Sequence, residues 1–115
     1  MNSLVIDTSS IRTIVALFSD TELVHEAHHD GATEHAEVLP KLVKEAISKV
    51  DSIGEVIVGM GPGPFTGLRV GIAFAKSFAH SQSIPCRGVC SLDGIDIDSD
   101  DYIVRSEEHT SELQS

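Results

Sequence analysis

Residues 55–80 read EVIVGMGPGPFTGLRVGIAFAKSFAH, and this stretch decides the fold. Val56-Ile57-Val58 is a short apolar run bounded by turn residues, the pattern of a buried strand. Gly59, Gly61, Pro62, Gly63 and Pro64 then break regularity. The glycines permit positive φ and close backbone approach, and the prolines fix φ and remove donors. Phe65 follows, and Thr66 is a residue of N-cap type. From Gly67 the pattern turns helical. Leu68, Gly71, Ile72, Ala75 and Ala79 share one face, and Val70, Phe74 and Phe78 carry it round the side. Arg69, Lys76 and His80 form one narrow polar stripe. A helix apolar over most of its girth must be covered on more than one side. Its own sheet covers one side, so a second helix or another protein is expected on the other.

Upstream, residues 37–50 place Val38, Leu39, Leu42, Val43, Ala46, Ile47 and Val50 on one helical stripe, the most regular period in the chain. Lys41, Lys44, Glu45 and Lys49 are expected in water. Pro40 conflicts with a helix interior, so the helix either begins just before it or is kinked in its first turn. Asp30-Gly31-Ala32 precedes this helix, and Thr33 can cap it. Three strands are expected earlier: Leu4–Ile6, Thr13–Ser19 and Glu22–His28, joined by the turns Asp7-Thr8-Ser9-Ser10 and Ser19-Asp20-Thr21. A last strand is expected over Ile84–Val89. The order β-β-β-α-β-α-β implies an α/β fold, with an antiparallel start and then right-handed crossovers that make parallel pairs.

The chain has 115 residues, enough for one domain with a modest core. Eighteen acids oppose eight bases, for a formal charge of −10, and the bases form no run. Such a chain is a poor grip for nucleic acid phosphates, so any RNA is expected to be held by a partner. Cys86 and Cys90 make neither a CxxC pair nor a disulfide framework. With no signal peptide and no membrane-length apolar run, a reducing, cytosolic setting is expected.

The end of the chain is different. Residues 96–101 (DIDSDD) are acidic without a clear period, and residues 105–115 (RSEEHTSELQS) offer only Leu113 to a core. The latter match one reading frame of a common sequencing-library adapter. Residues 105–115 are therefore expected to be a non-native, disordered read-through tail. Residues 1–104 are expected to be the truncated amino-terminal domain of a longer product.

The strand order, Asp7-Thr8-Ser9, the helix start His35-Ala36-Glu37-Val38-Leu39-Pro40 and above all the block Gly61–Gly71 (GPGPFTGLRVG) together resemble one family. It is the bacterial TsaB (YeaZ-like) subunit of the tRNA threonylcarbamoyladenosine machinery. The resemblance runs from about Leu4 to Leu92. It implies an actin-like ATPase, RNase-H-like (ASKHA) half-domain with a mixed sheet. It also implies a non-catalytic scaffold subunit with no catalytic residue of its own. Such a subunit pairs with a TsaD-like catalytic subunit, works with a TsaE-like ATPase, and meets tRNA only indirectly. The complex transfers a threonylcarbamoyl group to N6 of the adenosine beside the anticodon. A homodimer is the other pairing to consider. No cofactor is expected in this chain, with ATP belonging to the complex. The residues implied at the partner interface are His35, Leu39, Pro62, Phe65, Thr66, Leu68, Arg69, Val70, Ile72 and Phe74.

Competing readings exist for the same residues. Asp7, Thr8, Ser9, Gly61 and Gly63 are the nucleotide-adjacent candidates of an actin-like ATP-binding protein or kinase fragment. However, the glycine loop fits neither the Walker A nor the dinucleotide spacing, and Ser9-Ser10 stand where such ATPases usually carry a glycine turn. Asp7 then reads as a turn former bonding its own backbone. A metal-dependent hydrolase would need converging ligands. His25 and His29 share a strand face with His28 beside them. The resemblance implies that the related catalytic subunit carries two histidines four apart in the segment similar to His35; here the position four after His35 is Leu39, so no metal site is expected. Cys86 and Cys90 lack a neighbouring His and acid and read as small packing residues.

Overall fold

Val56, Ile57 and Val58 are each fully buried, on an interior strand of a five-stranded sheet. The computed structural model describes residues 1–31, 35–61 and 67–90. Its elements in chain order are β1 (Asn2–Asp7), β2 (Arg12–Ser19), β3 (Glu22–Asp30), α1 (His35–Ile47), β4 (Glu55–Gly59), α2 (Gly67–Gln82) and β5 (Cys86–Val89). The sheet order is β3-β2-β1-β4-β5. β1–β2 and β2–β3 pair antiparallel, while β1–β4 and β4–β5 pair parallel. The expected element order and the change from antiparallel to parallel pairing are both present.

Strand alternation sorts the core into two sides. Leu4 and Ile6 of β1, Val15 of β2, and Val56 and Val58 of β4 pack with Leu39, Val43 and Ala46 of α1 and Ala75 and Ala79 of α2. Val5, Ala16, Phe18, Ile57 and Val89 form a second cluster on the opposite face. On that second face Glu55 is buried. Its Oε2 accepts a 2.6 Å hydrogen bond from Ser3 Oγ, and its Oε1 lies 2.9 Å from Arg87 Nε of β5.

Several boundaries differ from the sequence reading, and those of α1, β3 and β5 have local reasons. α1 starts at His35 and ends at Ile47, not Val50. The last amides close tighter turns, Lys49 N to Ala46 O and Val50 N to Ile47 O. Pro40 lies inside α1 without ending it. The helical bond it cannot donate belongs to the carbonyl of Ala36, and both residues are exposed, so water can replace it. β3 runs to Asp30, and its register shifts between Leu17 and Phe18, where Val24 is the extra residue. That bulge explains the weak alternation and leaves Leu23 and Val24 both exposed. β5 starts at Cys86 because Ile84 is spent on ending α2. Ile84 N bonds Ala79 O and Ser83 N bonds His80 O, with Ser83 at φ 58°. This is a Schellman ending with a serine in the left-handed position. The capping candidates Thr33 and Thr66 and the tail at 105–115 lie outside the described residues.

Candidate functional site

The parallel strands β1 and β4 end side by side, and the first turn of α2 packs where they end. Ser9 builds the turn after β1, donating its amide (2.9 Å) and its hydroxyl (2.7 Å) to Asp7 Oδ1. Asp7, Thr8 and Ser9 are all buried. Asp7 thus uses one carboxylate oxygen in an Asx-type turn, the turn-forming role expected of it. Thr8 turns toward α2. Its Oγ1 donates to the carbonyl of Gly67 (2.5 Å) and accepts from the amide of Gly71 (3.1 Å). Gly61 is buried with φ 94°, a conformation that suits glycine.

α2 meets the sheet through small residues. Gly67, Gly71, Ala75 and Ala79, each four apart, are its buried positions. A Cβ on Gly71 would overlap Thr8 Oγ1, and one on Gly67 would overlap the His35 ring. The sequence reading put Leu68 and Ile72 on the buried face with these residues. In the structure the small residues face inward, and Leu68, Val70, Ile72, Phe74 and Phe78 are half-buried on the flanks. Size decides this, because only small side chains let the helix backbone approach the sheet and Thr8. Phe74 and Phe78 stack with ring centroids 6.3 Å apart, close to parallel. Arg69, Lys76 and His80 are exposed, as the polar stripe predicts.

Two residues expected at a partner interface lie elsewhere. His35 is buried, and its Nδ1 shares a 2.5 Å hydrogen bond with Thr13 Oγ1 of β2. Its Nε2 has no hydrogen-bond partner and faces Gly67. Leu39 is fully buried in the core. Both therefore support α2 from beneath. Pro62, Gly63, Phe65 and Thr66 lie outside the described residues. Sequence spacing missed Thr13 and Gly67, and put Gly71 on the buried face without its partner Thr8. Two glycines four apart at the start of a helix were the available signal.

The remaining candidates are dispersed. His25 and His29 are half-buried on β3 while His28 is exposed. Among the described residues no three His, Cys, Asp or Glu side chains gather as metal ligands. Cys86 is half-buried rather than buried. Burial pushes its thiol up, with Lys76 opposing in part, opposite to the shift that activates a nucleophile. No helix among the described residues is long and apolar enough to cross a membrane.

A mixed five-stranded sheet with both helices on one face is an actin-like half-domain of the ASKHA type. The family model described as TsaD, tRNA N6-adenosine threonylcarbamoyltransferase, matches residues 25–97. The chain belongs to this family, as a YeaZ-like TsaB domain. It is 32% identical over 97 residues to the tRNA threonylcarbamoyladenosine biosynthesis protein TsaB of Escherichia coli, covering 80% of this chain and 41% of that one. It is also 48% identical over 69 residues to an uncharacterized protein of Mycobacterium tuberculosis, covering 60% of this chain and 31% of that one. The solved structure of YeaZ from Pseudomonas aeruginosa superposes with a TM-score of 0.72 at 26% identity, over 79% of this chain and 44% of that one. The chain thus spans less than half the length of these relatives.

Proposed function

We propose that this chain is the docking domain of a non-catalytic scaffold subunit in tRNA threonylcarbamoyladenosine synthesis. It pairs through α2 with a TsaD-like catalytic subunit, which attaches the threonylcarbamoyl group to N6 of adenosine in tRNA. The observation that carries the reading is the flank of α2. Leu68, Val70, Ile72, Phe74 and Phe78 are large, apolar and only half-buried, although the buried positions of the same helix are glycine and alanine. Large apolar side chains left half in water beside a small-residue ridge suit a helix that completes its burial against another chain. The block carrying Leu68, Arg69 and Val70 is the one that resembles the family most specifically.

The rest of the assembly follows from charge and chemistry. A chain of net charge −10 leaves tRNA to its partners. The TsaE-like ATPase and any ATP belong to the complex, which works in the cytosol. The nucleotide-binding alternative draws on Asp7, Thr8 and Ser9 at the end of β1. Two of their groups are engaged within the protein: Asp7 Oδ1 by Ser9, and the Thr8 hydroxyl by α2. The hydrolase alternative would need a ligand at Leu39, which is core.

Size-exclusion chromatography with light scattering tests the proposal. The chain, mixed with a TsaD-like subunit, forms a one-to-one complex that Leu68→Glu and Val70→Glu abolish while leaving the fold intact. A folded chain that forms no complex contradicts the proposal and makes an ATP titration the next measurement.

A further inference from the structure

Two side chains outside α2 hold its first turn, and each does so at a glycine. From the turn after β1, Thr8 Oγ1 donates to Gly67 O and accepts from Gly71 N. That carbonyl and amide are four residues apart, the two ends of one helical hydrogen bond, and the hydroxyl stands between them. From α1, the His35 ring packs on Gly67, where a Cβ would lie 2.6 Å from Nε2. The ring is itself fixed by Thr13 on β2. The unpaired Nε2 is filled against the Gly67 backbone, so it makes a packing contact and leaves no room for a ligand there.

These contacts constrain one coordinate. Gly67 and Gly71 lie on the same buried stripe, one turn apart. Sliding α2 along its axis separates Thr8 from both partners at once. Rotating α2 about its axis also separates Thr8 from its partners, and the His35 ring packs against the same turn at Gly67. A side-chain tip stands roughly 5–6 Å from the helix axis, so a rotation of about 20° moves it by about 2 Å. Such a movement is enough to spoil a packed interface.

We infer that Thr8 and His35 are positioning residues that set the rotation of α2 on the sheet, and through it the direction of Leu68, Val70 and Phe74. The inference rests on the proposed docking reading only for what those side chains meet. The β1–β2 turn, which carries the nucleotide-adjacent candidates Asp7, Thr8 and Ser9, here serves as the anchor of a helix.

Residual dipolar couplings of the α2 amides, measured against those of β1 and β4, read the helix orientation without any partner. In Thr8→Val, which removes the hydroxyl at nearly constant volume, the α2 couplings move together while the strand couplings stay. Thr8→Ser restores the wild-type set. Affinity for the TsaD-like subunit falls roughly fivefold in Thr8→Val, the ratio one lost buried hydrogen bond carries, and recovers in Thr8→Ser. Should Thr8→Val not fold, Gly71→Ala reaches the same contact from the helix side and turns α2. Thr8→Ala combined with Gly71→Ala then returns the couplings toward wild type, a non-additive result. Unchanged α2 couplings in the folded single variants overturn the inference. A wild-type chain that binds no partner overturns the docking reading alone, because the couplings still decide the positioning.

Discussion

Arg87→Met would leave a buried carboxylate facing an apolar side chain. Glu55 is 4% exposed, and Arg87 Nε stands 2.9 Å from its Oε1 without hydrogen-bond alignment. At an effective dielectric of about 20, that separation corresponds to roughly 6 kcal/mol of gross attraction. Desolvation of both groups cancels much of it, and removing one partner of a buried pair costs about 3–5 kcal/mol. The Arg87 side chain is 24% exposed, so water screens the contact and the lower end applies. Ser3 Oγ still donates to Oε2 and limits the loss further. We therefore expect Arg87→Met to destabilise by about 2–3 kcal/mol. Glu55→Gln in the same background removes the stranded charge and keeps an acceptor for Ser3. The double variant should then lie within about 1 kcal/mol of wild type, a coupling of about 2 kcal/mol. Urea unfolding followed by circular dichroism measures all four corners of the cycle. An Arg87→Met variant within about 0.5 kcal/mol of wild type, or strict additivity, refutes the reasoning.

Three further outcomes follow from local geometry. Ser83 sits at φ 58° in the α2 ending, so Ser83→Gly should stabilise by about 1 kcal/mol and raise the melting temperature by roughly 4–8 °C, whereas Ser83→Val should lower it. Pro40 withholds a helical hydrogen bond at an exposed position, so Pro40→Ala should stabilise by about 1–2 kcal/mol; no gain in thermal melts would mean that the first turn is not closed there. The folded state holds the Cys86 proton more tightly than the unfolded chain, because burial raises the thiol above its ordinary 9.0. Stability present below that value is then lost as pH rises from it toward the raised folded value, and Cys86→Ser should remove that part of the decline seen in urea titrations above about pH 9.

Much of the sheet was readable because its signals are local. Runs such as Leu4-Val5-Ile6 and Val56-Ile57-Val58 report burial on both faces by composition alone, and the turns at Asp7–Ser10 and Ser19–Thr21 punctuate them. The helical period over Val38–Ile47 did the same for α1. What escaped depends on contacts between distant residues. His35 was assigned to the interface through the resemblance carried by its helix start. Its partner Thr13 lies 22 residues away, across β3. Leu39 was assigned to the interface through the resemblance, although its own period placed it in the core. On α2 the expected face took in Leu68 and Ile72 with Gly71, Ala75 and Ala79, because period alone could not say that only glycine and alanine would face the sheet. That choice is set by the Thr8 hydroxyl, which reaches α2 from 59 positions earlier in the chain. The β-bulge at Leu17/Phe18 and the capping role of Ser83 are likewise settled by pairing geometry rather than by residue type.

The proposed role of this chain is to dock a catalytic subunit without supplying chemistry of its own. Reconstituted tRNA threonylcarbamoylation, scored by mass spectrometry of the modified nucleoside, tests it most directly. Catalytic subunit, ATPase, ATP, threonine-derived adenylate and tRNA are combined with and without the chain, alongside Leu68→Glu. The expected result is no modification by the chain alone, modification when the wild-type chain joins the catalytic subunit, and loss of that gain in Leu68→Glu. Modification by the chain alone, or equal modification with Leu68→Glu, would contradict it.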